Sequence, residues 1–428
     1  MDADASNPAT ANVSDVEQTI RASSRVDWST LQLWGAMLGV GMQPISTATG
    51  NIGFGIAIAV TVPRAIALLP EWRTLLRQGW LLCLVAWLAW SWASLLWSPD
   101  ARFGMEQFRS TRVLLWIPVL WPLRARWTHL VTAILIGTTI MGIIQALQLT
   151  VKWPLSSKFE AGFGFTTPTQ TGLWAAVGLT FWLIFAVAAS VRRALAVLPL
   201  AMLGGVSLVW SATRASVIAL AVELVVANAV LALTSRDWLK RATMRGVIGL
   251  AILGGAMLFA RSALERKFEQ AVKETVVTMR GQTNTTAEIR IAMWKMALQG
   301  WQRQPMFGCG IGGIPSIARE TDVQSPITDM RAVTMIHSTY IQILTETGII
   351  GLGLFAAFMT LLFRDVLRAV RQRPVLVASF GALVVWFVAA AFDGFQQSGG
   401  FLSVGAICTA LACATPVQTP AGRQPPGA

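Results

Sequence analysis

The strongest constraint on this chain is a series of apolar stretches. Between Leu31 and Ala414 there are about twelve, most close to the ~20 residues a helix needs to cross a bilayer. They run Leu31–Thr47, Ile52–Leu69, Gly79–Trp97, Thr111–Leu123, Leu130–Leu149 and Thr171–Ser190, then Leu195–Ser211, Ala215–Leu233, Gly246–Leu264, Ser338–Leu362, Val375–Phe392 and Phe401–Ala414. Prolines interrupt two of them, at Pro63-Arg64 in the second and at Pro118 and Pro122 in the fourth. With 54% hydrophobic and 13% charged residues, the chain has too little polar surface to cover a soluble domain of this size. Nineteen tryptophans against one tyrosine suit many membrane interfaces in need of anchors. The expected class is an all-α polytopic membrane protein with about twelve transmembrane helices.

The short loops fix an orientation. Arg73 and Arg77 follow the second stretch, Arg124 and Arg126 the fourth, and Arg192 and Arg193 the sixth. Arg236, Lys240, Arg241 and Arg245 follow the eighth, and Arg364, Arg368, Arg371 and Arg373 the tenth. Basic loops stay in the cytoplasm, so both termini are expected there and the odd-numbered loops outside. The net charge of +13 follows from that bias and from anionic membrane lipids, so no nucleic-acid partner is expected. The expected divisions are a cytoplasmic tail (1–30), helices 1–9 (31–264), a helical loop (265–336), helices 10–12 (337–415) and a disordered cytoplasmic tail (416–428). The first thirty residues have no apolar core of a signal peptide, so the first span is expected to direct insertion. Four cysteines, three of them in apolar spans, read as small core residues rather than a disulfide framework.

Function is expected on the outer side. The loop from Glu265 to Ile336 is far longer than a connection requires. Ala263–Arg280 and Ala287–Arg303 read as amphipathic helices, the second with Ile289, Met293, Met296 and Ala297 on one face. Pro305 ends that helix, and GCGIGGIPS follows as a glycine-rich turn. The loop 151–168 mixes Lys152 and Lys158 with Trp153, Phe159, Phe163 and Phe165, which suits sugars and phosphates or a headgroup-level anchor. Arg214, in WSATRAS, stands where the eighth span begins, with Ser211 or Thr213 placed to cap the helix. That is a phosphate site, or an arginine reaching back to the interface. Scattered loop carboxylates (Glu320, Asp322, Asp329, Asp393) read as solvated or ion-paired, and neither Asp-x-Asp nor a His/Cys metal spacing is present.

The stretch from Arg331 to Leu352, RAVTMIHSTYIQILTETGIIGL, gathers the rest. His337, one of two histidines, opens an apolar span that carries Ser338, Thr339, Gln342, Thr345 and Glu346 on one helical arc, with His337 on the adjoining face beside Ile341, Leu344 and Gly348. A neutral imidazole at such a place can accept a proton, or it can simply touch headgroups. Glu346 and Glu223 lie well inside apolar spans, where a carboxylate is costly. Glu346, about nine residues or ~14 Å along a helix from His337, reads as a partner for another helix rather than a catalyst.

This stretch resembles the signature of the O-antigen ligase and polymerase superfamily, in which a histidine leads into a helix with Gln, Glu and two Gly at set positions. Here those are His337, Ser338, Gln342, Glu346, Gly348 and Gly351. Two further elements are similar: Arg214 in Ser/Thr-x-x-Arg-small, and the run Arg290, Trp294, Pro305, Gly308, Gly310, Gly312. The segment GFGFTTPTQTG places Thr167, Thr169 and Gln170 where the superfamily more often has asparagines around a proline. The resemblance implies a membrane glycosyltransferase that moves O-antigen from undecaprenyl pyrophosphate to lipid A–core on the periplasmic side of a bacterial inner membrane. His337, Arg290 and Arg214 would be catalytic, and Lys152, Gln170, Arg266, Tyr340 and Gln342 would contact substrate. No metal is expected, since the arginines can take the pyrophosphate charge and no metal motif is present, and no cofactor, since the donor is already activated. An O-antigen polymerase shares the motif, and a lipid-linked sugar transporter is the alternative from another class.

Overall fold

The computed structural model describes residues 27–151, 167–188, 191–211, 213–234, 238–259, 286–323, 329–394 and 399–413. These are mostly helical and contain no strand. Helices α1 (Trp28–Met42) and α2 (Thr47–Thr61) form a hairpin, with Asp27 and Ser46 accepting backbone N–H bonds as their N-caps. A 3-10 turn at Val62–Arg64 leads into α3 (Ala65–Leu76), and α4 covers Gly79–Ala93. Next comes a composite helix: α5 (Ala101–Phe108), 3-10 residues Arg109–Leu115, α6 (Trp116–Leu120), 3-10 residues Trp121–Arg126 and α7 (Trp127–Val151). Then follow α8 (Pro168–Ala188), α9 (Val191–Ser211), α10 (Arg214–Thr234) and α11 (Trp238–Phe259). The loop region holds α12 (Thr286–Arg303) and α13 (Ile314–Arg319), and α14 (Thr339–Gln372), α15 (Val377–Ala389) and α16 (Gly399–Ala412) close the chain. Five helical stretches are long and apolar enough to cross a membrane: Thr47–Leu76, Gly79–Trp97, Ala101–Gln148, Arg214–Leu233 and Thr339–Gln372. Shorter apolar helices occupy Leu198–Ser211, Thr243–Leu258, Pro374–Ala389 and Leu402–Ala412. The chain is thus an all-helical protein with several membrane-spanning helices.

Three sequence expectations change. The fourth stretch, expected as a proline-interrupted span of its own over Thr111–Leu123, is a broken rod with one buried face that runs on into the fifth. Pro118 and Pro122 remove α-helical hydrogen bonds, and the flanking residues tighten into 3-10 turns. Its face is buried, and Trp116 stacks on Phe54 with ring centroids 3.8 Å apart. Arg245 is not a loop charge. α11 begins at Trp238, a full two turns earlier than hydropathy suggests, so Arg245 lies inside the helix, fully buried and paired with Glu223 Oε1 at 2.9 Å. Nor are all the tryptophans interfacial anchors: Trp80, Trp87 and Trp174 are all within 1% of complete burial. Their rings fill the bundle, and other indoles cross-brace it, with Trp72 Nε1 donating to the Pro118 carbonyl at 2.9 Å.

Packing partners show which ends of the helices lie together. α4 runs antiparallel to α14, since Trp87 meets Phe355 while Trp80, two turns earlier, meets Phe358. Gly172, early in α8, packs on Ser211, Thr213 and Ser216, while Thr180 and Glu223, further along α8 and α10, both close over Gly381 in the middle of α15. α8 and α10 therefore run in parallel from one end. Gly400, at the start of α16, lies under the Gln170 side chain, and Gly405 packs on Trp386 of α15. Hence the C-terminal end of α15 and the starts of α8, α10, α14 and α16 share one end of the bundle. The basic turn around Arg364–Arg373 lies at the other.

Candidate active site

The site is built where α14 begins. Its first residue is Thr339, preceded by Ser338 as N-cap, so His337 stands just outside the helix rather than on its face. His337 adopts φ +53°, the only described non-glycine residue with positive φ. Histidine tolerates this left-handed region better than most residues, and such outliers cluster at functional sites. Its side chain is 34% exposed.

Two elements hold His337 in place. From α12, Trp294 Nε1 donates to the Ile336 carbonyl at 3.1 Å. The helix has the face read from sequence: Met293, Met296 and Ala297 are buried against Ile314, Ala318 and Ile336, with Ile289 packed beside them. From the end of α15, Thr339 N–H donates to the carbonyls of Ala390 and Asp393, and Thr339 Oγ1 donates to the same Asp393 carbonyl at 2.8 Å. This brings the Asp393 carboxylate to 3.6 Å from His337 Nδ1. That separation is too long for a hydrogen bond but close enough for attraction. Arg290, also on α12, donates from Nη1 to the Phe392 carbonyl at 3.1 Å. Arg290 and His337, 47 positions apart in sequence, thus meet consecutive residues of one segment, the first through a hydrogen bond and the second through a close approach.

The polar arc of α14 is turned inward: Ser338, Thr339, Gln342, Thr345 and Glu346 are all nearly or fully buried. Their work is to hold the glycine-rich turn. α14 breaks at Gly348, whose φ of 67° and ψ of −169° belong to a region open in practice only to glycine. The break frees carbonyls and amides that would otherwise pair within the helix, and the turn takes them up. Cys309 N–H donates to Thr345, Gly310 N–H to Glu346, and the amides of Ile349 and Ile350 donate to Pro305 and Met306. Trp90 Nε1 donates to the Thr347 carbonyl at 2.9 Å. Glu346 Oε1 accepts from Gly312 N–H at 3.2 Å and its Oε2 from Gln342 at 3.3 Å. Gly308, Gly310 and Gly312 all have positive φ, and the turn is pressed between α14 on one side and residues 94–104 on the other. Glu346 therefore has a loop, not another helix, as its partner. Burial pushes the Cys309 thiol, within this turn, well above its ordinary range.

Arg214 is the exposed first residue of α10, and Thr213 beside it donates to the Pro168 carbonyl at 3.1 Å, tying α10 to α8. It shares the bundle end with His337. Gln170 lies at that end too, over Gly400. The other candidate substrate residues are placed differently. Gln342 is fully buried against Glu346, and Tyr340 donates its hydroxyl to the Phe387 carbonyl at 2.5 Å while its ring packs on Phe355 and Phe387. Lys152, Arg266 and the expected helix Ala263–Arg280 lie outside the described residues. His129, the other histidine, is exposed near the start of α7, far from this cluster in the fold. Among the described residues no three of His, Cys, Asp and Glu converge as a metal-binding group would require. Asp393, which in sequence reads only as a scattered loop carboxylate, is the candidate residue that the structure adds beside His337. The available signal is its place at the C-terminal end of the eleventh apolar stretch, which the span alternation puts on the same side as His337.

The arrangement offers an imidazole beside a carboxylate, with one guanidinium anchored next to them and a second at the same bundle end. It suits proton acceptance from a hydroxyl close to bound anionic oxygens. Comparison with curated proteins returns no match. Residues 199–356, a span holding Arg214, Arg290, the glycine turn, His337 and the break at Gly348, match the family model described as O-antigen ligase. Over residues 199–356 the chain is therefore similar to the O-antigen ligase family.

Proposed function

We propose that the protein transfers an O-antigen glycan from undecaprenyl pyrophosphate to lipid A–core, on the periplasmic face of the inner membrane, with inversion at the anomeric carbon. The convergence of Arg290 and His337 on the neighbouring residues Phe392 and Asp393 carries this reading. The acceptor hydroxyl attacks the anomeric carbon and gives its proton to His337. The bond from that carbon to the pyrophosphate oxygen breaks, and the negative charge stays on the undecaprenyl pyrophosphate. Arg290 uses one of its five donors on Phe392, so the rest of the fork can meet the pyrophosphate, with Arg214 as the second cation. Asp393 orients the imidazole and stabilises its protonated form, as the carboxylate does in a Ser-His-Asp triad. Gln170 would contact the donor glycan, with Lys152 and Arg266 as further phosphate contacts. About twelve spans with both termini in the cytoplasm fit this reading, because they put the end with His337 outside.

The test is transfer by purified protein given undecaprenyl-pyrophosphate glycan, lipid A–core and excess chelator, read as a gel shift of the acceptor. A shift is expected, and it should vanish in His337→Ala with donor binding retained. Asp393→Asn should lower kcat by about a hundredfold or more with little change in KM. Near-normal transfer by His337→Ala would overturn the assignment of the base. Longer glycan on the donor lipid, without a shift, would make the enzyme a polymerase.

A further inference from the structure

α5 and the 3-10 segment that continues it carry three arginines, Arg102, Arg109 and Arg112, all exposed. Residues seven apart share a face of an α-helix, and residues three apart share a face of a 3-10 helix. Arg102 and Arg109 therefore lie on one face of this rod, and Arg112 follows one 3-10 turn later. A further turn on the same face is Leu115, 60% exposed. At the standard rises the basic part spans roughly 10 Å and then about 6 Å more. None of the three guanidinium groups has a hydrogen bond or ion pair among the described residues. The opposite face is packed: Gln107 and Val113 are buried, and Gly104 rests on Ile311 and Gly312 of the glycine turn.

This stripe runs against the charge pattern of the chain, whose other short basic turns lie at the far end of the bundle. Glu106, also exposed, shares that face and offsets one of the three charges, but Arg109 and Arg112, a single turn apart, still repel each other. A ligand bearing more than one phosphate would relieve that repulsion, because guanidinium groups bind phosphate oxygens bidentately. The face then changes from basic to apolar on passing toward α6, the order of headgroup and acyl chain in a lipid. Through Gly104 and the turn, the stripe belongs to the same packed unit as α14 and His337.

We propose that Arg102, Arg109 and Arg112 form a docking stripe for a phosphorylated lipid, with its phosphates on the guanidinium groups and its chains along Leu115, and that this lipid is the acceptor. The second half of the proposal rests on the ligase reading above. The experiment uses full-length protein in phosphatidylcholine nanodiscs, titrated with lipid A–core and with the same lipid after phosphatase treatment. Wild type should bind the phosphorylated form tighter by on the order of a hundredfold, the scale for three basic residues at a membrane surface. The triple variant Arg102→Gln/Arg109→Gln/Arg112→Gln should lose that discrimination and raise the acceptor KM by a similar factor, with the donor KM and kcat unchanged. The triple lysine variant, which keeps the charge, should retain most of the binding and shows that the rod still folds. Equal binding of the phosphorylated lipid by the glutamine variant would overturn the stripe, as would equal competition by phosphatidylglycerol. If binding discriminates but wild type transfers nothing, the ligase reading falls and the lipid stripe stands. If transfer proceeds with an unchanged acceptor KM in the glutamine variant, the stripe falls and the ligase stands.

Discussion

Glu223 and Glu346 are both fully buried carboxylates inside apolar helices, yet the protein satisfies them in opposite ways. Glu223 meets a buried charge: Arg245 of α11 pairs with it at 2.9 Å and also donates to Asn228 at 3.0 Å, while Gly381 of α15 leaves the space. Glu346 meets only neutral donors, the Gly312 amide and the Gln342 side chain. The first fastens two neighbouring helices in the depth of the bundle. The second fastens a loop into a broken helix beside the candidate active site. A buried carboxylate in a membrane helix thus need not be catalytic to be indispensable, and its partner tells which job it has.

The contrast can be broken by substitution. Glu223→Ala strands the Arg245 charge in the interior and should cost about 3–5 kcal/mol, seen as a large drop in thermal unfolding temperature in detergent. Glu223→Met with Arg245→Met should recover most of that loss, since no unpaired charge remains. If the double variant is as unstable as the single, the pair is not held by its charges. Gly348→Ala forces a side chain into a glycine-only conformation against the Met306 backbone, at about 1–3 kcal/mol from strain alone. It should also release the turn and abolish transfer. Gly353→Ala, five residues on in open space, should be neutral or slightly stabilising in the same assays. Glu346→Gln keeps an oxygen for the Gly312 amide and should cost only about 1 kcal/mol, while Glu346→Leu leaves that amide unpaired and should cost about 1–3 kcal/mol. A loss in Glu346→Gln as large as in Glu223→Ala would mean that the charge itself matters at both sites.

Part of the site is legible in the sequence. Motif marks His337, Arg290 and Arg214, and an apolar face marks α12, because both signals depend on local spacing. Nothing of the kind marks Asp393, since a single loop carboxylate has no spacing to betray it. Hydropathy misplaces Arg245 because it stops a span at a charge, whereas a buried partner across the interface lets the helix continue through it. Gln342 and Glu346 stand on the correct arc, but only the turn packed against that arc gives them work inside the bundle.

Composition and helical periodicity are local properties. They are enough to make the chain helical, apolar enough to enter a membrane, and furnished with a few polar residues that are candidates for chemistry. Tertiary packing alone settles that Phe392 and Asp393 bring Arg290 to His337, that a glycine turn is spliced into α14 at Gly348, and that Arg245 is buried on Glu223. Each of these depends on polar groups left unpaired in one segment and satisfied by another, a pairing that no local pattern records.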